Sequence, residues 1–442
     1  MTLKFFKEEI VPGGFPEGSL VLLVGEPGTG KTIFAATYSY EEIKKGRKVL
    51  FVSLNETSSD FHANMEKLGM KFDNENFRYI DLFTVSKDAI EAQLEVIYKE
   101  IENFKPNLIV IDSITAITSA IGFENVRAFL HGSIGRFVKA FGSTAILIAE
   151  KPVGKEELGF GVEEFVADGV LVFRYIKYGE HYRRVLEIPK MRGKRIRKPQ
   201  YEYTITDRGI IFLEVPRLER KEELVFEKIS SGVEKLDEIL NGGFYKGSIT
   251  LIAGHTGTGK TTMGIFFTYK NAAEGRRAVF LSFEESESSI LRAMRNYGLN
   301  YEEVKDNLIV ESLIPEAHSP VEFFVKISQI IEDVQPEVVF IDSFSSIQEH
   351  MDKEELRKMI RYLQLTVKRK KIALCTTLNL AGDMRSLPAT NLSTLADNII
   401  LLWTEIKEEA MSRKLLILKT RASNHSRKVY SYEITNRGIE IR

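Results

Sequence analysis

The chain has 442 residues, 43% of them hydrophobic and 28% charged, with a formal net charge of −1 at pH 7. This composition excludes a disordered or collagen-like chain, and its bulk charge calls for neither nucleic acid nor an anionic membrane as partner. A single cysteine, Cys375, excludes an internal disulfide framework, and no apolar run reaches transmembrane length.

The opening residues, Met1 to Glu9, lack the apolar stretch of a signal peptide, so the cytoplasm is the expected compartment. An apolar strand is predicted over residues 19–24. It runs into Gly25-Glu26-Pro27-Gly28-Thr29-Gly30-Lys31-Thr32, and a helical pattern starts at Ile33. Strand, glycine-rich loop and helix in that order form a phosphate-binding P-loop. Gly25, Gly28 and Gly30 allow backbone conformations that a Cβ would block, so successive N–H groups point at an anion. The helix N-terminus adds partial positive charge. Lys31 is expected to reach the β- and γ-phosphates of ATP, and the Thr32 hydroxyl to hold Mg²⁺.

Further strands are predicted at 49–53, 77–80, 108–112, 145–149 and 170–173, with helical patterns between them, for example 86–104. Unbroken Val/Ile/Leu strands alternating with helices predict an α/β fold. Its sheet is mainly parallel and covered on both faces. Residues 183–188 and 201–205 read as terminal antiparallel strands. Asp112 ends an apolar strand, which suits a carboxylate coordinating Mg²⁺ at the ligand crevice; the competing reading is a helix N-cap. Asn55-Glu56 follows the second strand, where a carboxylate can orient an attacking water. Lys190 and Arg192 come late and suit fingers pointing into a neighbouring subunit's site. The basic run 190–198 reads equally as an exposed face.

All of this recurs. Gly254, Gly257, Thr258, Gly259, Lys260 and Thr261 repeat Gly25, Gly28, Thr29, Gly30, Lys31 and Thr32 at an offset of 229 residues. The same offset relates Gly13-Gly14-Phe15 to Gly242-Gly243-Phe244, Glu56 to Glu285, Ala167-Asp168 to Ala396-Asp397, and Lys190 and Arg192 to Lys419 and Arg421. Ile111-Asp112-Ser113 matches Ile341-Asp342-Ser343 with one residue of slip. Strands are expected again at 249–253, 279–282, 308–310, 338–342, 372–376, 399–402, 414–418 and 430–434. The chain is therefore a duplication, with domains at 1–220 and 221–442 and a charged linker at 215–223. The copies differ at one telling position: Asn55 stands where the second copy has Glu284.

The tandem P-loops, Ser282-Phe283-Glu284-Glu285, Ile341-Asp342-Ser343 and Lys419-Thr420-Arg421 with Ser423 and His425 resemble the KaiC-like branch of the RecA/RadA-type ATPases. The resemblance covers nearly the whole chain. It implies two RecA-like cores in a head-to-tail homo-hexameric ring, with ATP between subunits. Glu284 and Glu285 would be the catalytic glutamates, and Lys190, Arg192, Lys419 and Arg421 the fingers in trans. It also implies autophosphorylation at Ser393 or Thr394, against which an ordinary Ser/Thr turn is the favoured reading. The chain ends right after the last repeat, which argues against control through a longer C-terminal tail. A protein client is expected but not identified, and no membrane role is expected. Two other functions remain open at this point. One is a nucleic-acid-dependent motor, suggested by the basic runs 190–198 and 368–371. The other is a nucleotide-gated scaffold, suggested by Asn55.

Overall fold

The computed structural model describes residues 3–82, 87–122, 125, 128–151, 167–178, 181–212, 225–380, 396–407, 410–421 and 425–442. The chain divides into two compact units, Met1–Glu214 and Val215–Arg442. The linker expected at 215–223 lies outside the described residues.

The first unit is built on β1 (Leu20–Gly25), β2 (Val49–Ser53), β3 (Phe77–Asp81), β4 (Leu108–Asp112), β5 (Thr144–Glu150), β6 (Gly169–Tyr178), β7 (His181–Met191), β8 (Gln200–Thr206) and β9 (Gly209–Phe212). They form one sheet in the order β3-β2-β4-β5-β1-β6-β7-β8-β9. Pairing is parallel from β3 to β6 and antiparallel from β6 to β9. Every residue of β1, β2 and β4 is buried, because helices cover both faces. Parallel strands joined by right-handed crossovers bring the C-terminal ends of β1, β2, β4 and β5 to one edge. The phosphate loop, Asn55-Glu56 and Asp112 therefore meet there, although 80 residues separate Thr32 from Asp112.

The second unit opens with a hairpin of β10 (Lys228–Ile229) and β11 (Phe244–Tyr245) around a helix, Glu234–Ile239. It continues with β12 (Ile249–Gly254), β13 (Ala278–Ser282), β14 (Leu308–Ser312), β15 (Val338–Asp342), β16 (Ala373–Asn379), β17 (Asn398–Lys407), β18 (Ala410–Thr420), β19 (Val429–Thr435) and β20 (Gly438–Ile441). Their order, β14-β13-β15-β16-β12-β17-β18-β19-β20, repeats the first sheet. The α/β duplication expected from the sequence is thus the architecture observed.

The copies differ in how they cover the same core. The described residues of the first unit include no counterpart of that hairpin. Phe6 covers the core there instead, with its ring 5.1 Å from Phe34 and 5.8 Å from Phe212. The short strands β9 and β20 were not among the predicted strands. Each begins at a glycine with positive φ, Gly209 or Gly438, where a tight turn needs one.

Volumes are exchanged where the P-loop helix packs on the strand bearing the aspartate. The first unit has Ala35 and Val110, and the second has Gly264 and Phe340. A Cβ on Gly264 would run into the Phe340 ring. Replacing a mid-helix glycine with alanine ordinarily gains about 1 kcal/mol, but overpacking a core costs about 1–3 kcal/mol. We expect Gly264→Ala to lower the urea midpoint of the second unit, and Gly264→Ala with Phe340→Val, the first unit's pair, to recover most of it. A Gly264→Ala chain as stable as the parent would contradict this packing.

Candidate nucleotide-binding and hydrolysis sites

Each phosphate loop is set by what surrounds it. Gly25 ends β1 beside Phe173 of β6, and a Cβ there would meet the Phe173 carbonyl oxygen. Gly254 has the same relation to Leu402. Gly28 and Gly30, and Gly257 and Gly259, have φ between 78° and 92°. This left-handed region is what turns the backbone N–H groups inward. Helix Lys31–Lys44 starts at Gly30 and helix Lys260–Ala273 at Gly259, and neither start has a side-chain cap. The helices after β2 and β13 are capped by Thr57 and Ser286. The first N–H groups at the two loops thus remain for an anion. Thr29 and Thr258 brace the loops from within, each hydroxyl donating 2.7 Å to the carbonyl of Glu26 or His255.

Lys31 is buried, and its ammonium donates to the Gly25 and Glu26 carbonyls at 2.8 and 2.9 Å. Lys260 does the same to Gly254 and His255 at 3.0 and 2.9 Å. Two of three donors are used in this way, leaving one for a phosphate oxygen. Burial lowers the pKa of both lysines, opposed chiefly by Asp112 and Asp342. The Thr32 hydroxyl donates to Asp112 Oδ2 at 2.6 Å, and Thr261 to Asp342 Oδ2 at 2.6 Å. Burial raises both aspartate pKa values, and the threonine hydrogen bonds pull them back. A hydroxyl and a carboxylate this close are hard oxygen donors that fit Mg²⁺, which takes few protein ligands and completes its shell with phosphates and water. The described residues contain no cluster of three or more His, Cys, Asp or Glu that could hold a metal unaided.

The glutamates lie at the same edge. Glu284 accepts hydrogen bonds from Ser343, from Ser346 Oγ at 3.0 Å and from Asn379 Nδ2 at 3.4 Å. Burial, then Asp342, then Glu284, raise the pKa of Glu285. Glu56 accepts from Asn64 Nδ2 at 2.6 Å. Ser53 and Ser282 hold the two loops alike, accepting from the N–H of Glu56 at 3.0 Å and of Glu285 at 2.9 Å.

The basic pairs are elsewhere. Lys190 is the last residue but one of β7 and Lys419 the last but one of β18, at the opposite edge of each sheet. Arg192 pairs with Asp168 at 3.2 Å and Arg421 with Asp397 at 3.5 Å; Lys419 donates to the Ala396 carbonyl at 2.7 Å. Asp168 and Asp397 also accept from the first N–H of β1 and β12. The length of a strand, roughly 16 Å, separates these groups from their own phosphate loop. The basic runs have structural employment. Lys194 donates to the Pro12 carbonyl and Arg197 pairs with Glu9. Lys368, Arg369 and Lys370 form the last turn of helix Lys353–Lys370, where cations oppose the helix dipole. Ser393, Thr394 and Ser423 lie outside the described residues.

Two features of the sites belong to no sequence motif. The Tyr203 hydroxyl, on β8, donates to the Thr29 carbonyl at 2.6 Å, and Tyr432 on β19 does the same for Thr258. Both tyrosines are buried. Their identity at an offset of 229 was the available signal. Thr377 on β16 donates to Asp342, where the first unit has the apolar Ile148.

Comparison with known proteins agrees with this geometry. The family model for the KaiC ATPase matches twice, over residues 5–217 and 229–442. The circadian clock oscillator protein KaiC of Parathermosynechococcus lividus is 32% identical across 98% of this chain and 84% of its own length. The circadian clock protein KaiC3 of Synechocystis is 31% identical across 97% and 88%. KaiC of Synechococcus elongatus is 31% identical across 98% and 87%.

Removing the tyrosine staple leaves a loop carbonyl without its partner, a loss of about 1 kcal/mol. Tyr432→Phe, measured in chains with Lys31→Ala, should weaken Mg-ATP binding several-fold by calorimetry. Unchanged affinity would show that the loop holds its shape without the staple.

Proposed function

The chain belongs to the KaiC ATPase family, and from that premise we propose that both of its RecA-like domains bind and hydrolyse Mg-ATP at interfaces between subunits of a head-to-tail ring. The observation that carries the reading is the Thr32–Asp112 contact and its copy, Thr261–Asp342, each beside a buried lysine. Phosphoryl transfer to water needs a phosphate cradle, a divalent cation, a group that orients water and a cation for the developing charge. The loops supply the first. Thr32 with Asp112, and Thr261 with Asp342, would hold Mg²⁺, which neutralises charge on the β- and γ-phosphates when bound. Glu284 and Glu285 would orient the water and take its proton in the second domain, and Glu56 would border the γ-phosphate in the first.

The distance of the fingers from their own loop supports supply in trans. A heterologous interface sets one edge of a subunit against a different edge of the next, and closes as a ring. Lys190, Arg192, Lys419 and Arg421 would then serve the neighbour's γ-phosphate. The ion pairs of the two arginines with Asp168 and Asp397 would keep them oriented. No helix among the described residues is long and apolar enough to cross a membrane. The structural employment of the basic runs favours it over a nucleic-acid motor.

The test mixes two inactive chains. One carries Lys31→Ala and Lys260→Ala; the other carries alanine at Lys190, Arg192, Lys419 and Arg421. Equal mixing before Mg-ATP-driven assembly should restore roughly a quarter of wild-type phosphate release, since a quarter of random interfaces join an intact loop to intact fingers. A mixture as inactive as its components would overturn supply in trans.

A further inference from the structure

Each domain carries one amide and one carboxylate at the same two positions, and the two domains do so in opposite order. In the second domain Glu284 follows β13, and Asn379 at the end of β16 donates to it at 3.4 Å. The same two positions in the first domain hold Asn55, after β2, and Glu150, at the end of β5. The frames coincide. Glu150 is in register with Gly25 as Asn379 is with Gly254. The Glu150 N–H donates to Thr115 Oγ1 at 2.8 Å, and the Asn379 N–H to Ser345 Oγ at 2.7 Å.

The surroundings changed with the exchange. Ser346, which donates to Glu284 at 3.0 Å, is replaced in the first domain by Ala116. The first domain has thus lost both the glutamate and part of its support, and has gained a carboxylate on the adjacent strand. Glutamates at both positions would set two like charges side by side, each disfavouring ionisation of the other. One amide with one carboxylate avoids this, whichever strand bears which.

We propose that Glu150 supplies the water-activating carboxylate of the first domain in place of the residue at position 55, with Asn55 as its amide partner. The inference rests on the ATPase reading above. The water oxygen bonds to the γ-phosphorus while the bond from phosphorus to the β,γ-bridging oxygen breaks. ADP leaves with that electron pair. The water proton passes to Glu150, which returns it to the released phosphate. The first domain is by this account a hydrolytic site with its carboxylate moved one strand across the sheet. It is not a nucleotide-holding relic of the second.

The test is made in chains carrying Lys260→Ala, so that only the first site turns over. Adding Glu150→Gln should lower kcat about tenfold or more with the KM for ATP nearly unchanged. Adding Asn55→Glu, Ala116→Ser and Glu150→Asn together, which transplants the second arrangement, should bring kcat back to within about threefold of the Lys260→Ala chain. Three outcomes would overturn the assignment. They are a Glu150→Gln chain that turns over normally, a transplant that recovers nothing, and a Lys260→Ala chain that binds a fluorescent ATP analogue without hydrolysing ATP. Absence of hydrolysis by the unsubstituted chain would instead refute the ATPase reading itself.

Discussion

A lysine ammonium and an aspartate carboxylate are both held out of water at the C-terminal edge of each sheet. Burial works against both charges, lowering the pKa of Lys31 and Lys260 and raising that of Asp112 and Asp342. Desolvation of this kind is tolerated only where fixed dipoles and opposite charge take the place of water. The fold supplies them: loop carbonyls for the lysines and threonine hydroxyls for the aspartates. Much of the rest of each domain can be understood as what keeps those partners in position. Fully buried strands fix the two strand ends, the first glycine lets the loop lie against β6 or β17, and a buried tyrosine from the terminal hairpin grips the loop from the other side.

The parts of this that follow chain order were legible in the sequence. Gly25 to Thr32 lie within one strand–loop–helix unit, and Asp112 ends an apolar run that reads as a buried strand. The duplication helped further, because each motif was read twice. What the sequence could not show was proximity between positions far apart in the chain. Tyr203 lies 174 residues beyond the loop carbonyl it holds. No spacing rule links them, and only the antiparallel return of the sheet brings the hydroxyl to the loop. The same holds for Glu150, which looks like any solvated residue after a strand until parallel pairing sets it beside Gly25.

The two copies show which features the chemistry tolerates and which it does not. The Lys–Thr–Asp core is the same in both, down to the 2.6 Å threonine–aspartate contact. Around it, apolar volumes are traded between Ala35–Val110 and Gly264–Phe340, and a polar support at Thr377 becomes Ile148. A second domain with Thr377 and Ser346 has its aspartate and glutamate more tightly tied than the first.

The central claim is that both phosphate loops are working ATP sites built on the same buried lysine. Phosphate release and bound nucleotide per chain, measured together on the Lys31→Ala, Lys260→Ala and doubly substituted proteins, test it most directly. Two nucleotides per wild-type chain should fall to one in each single variant, each retaining part of the turnover, and the double variant should neither bind nor hydrolyse. A double variant that still hydrolyses ATP at the wild-type rate would contradict the account.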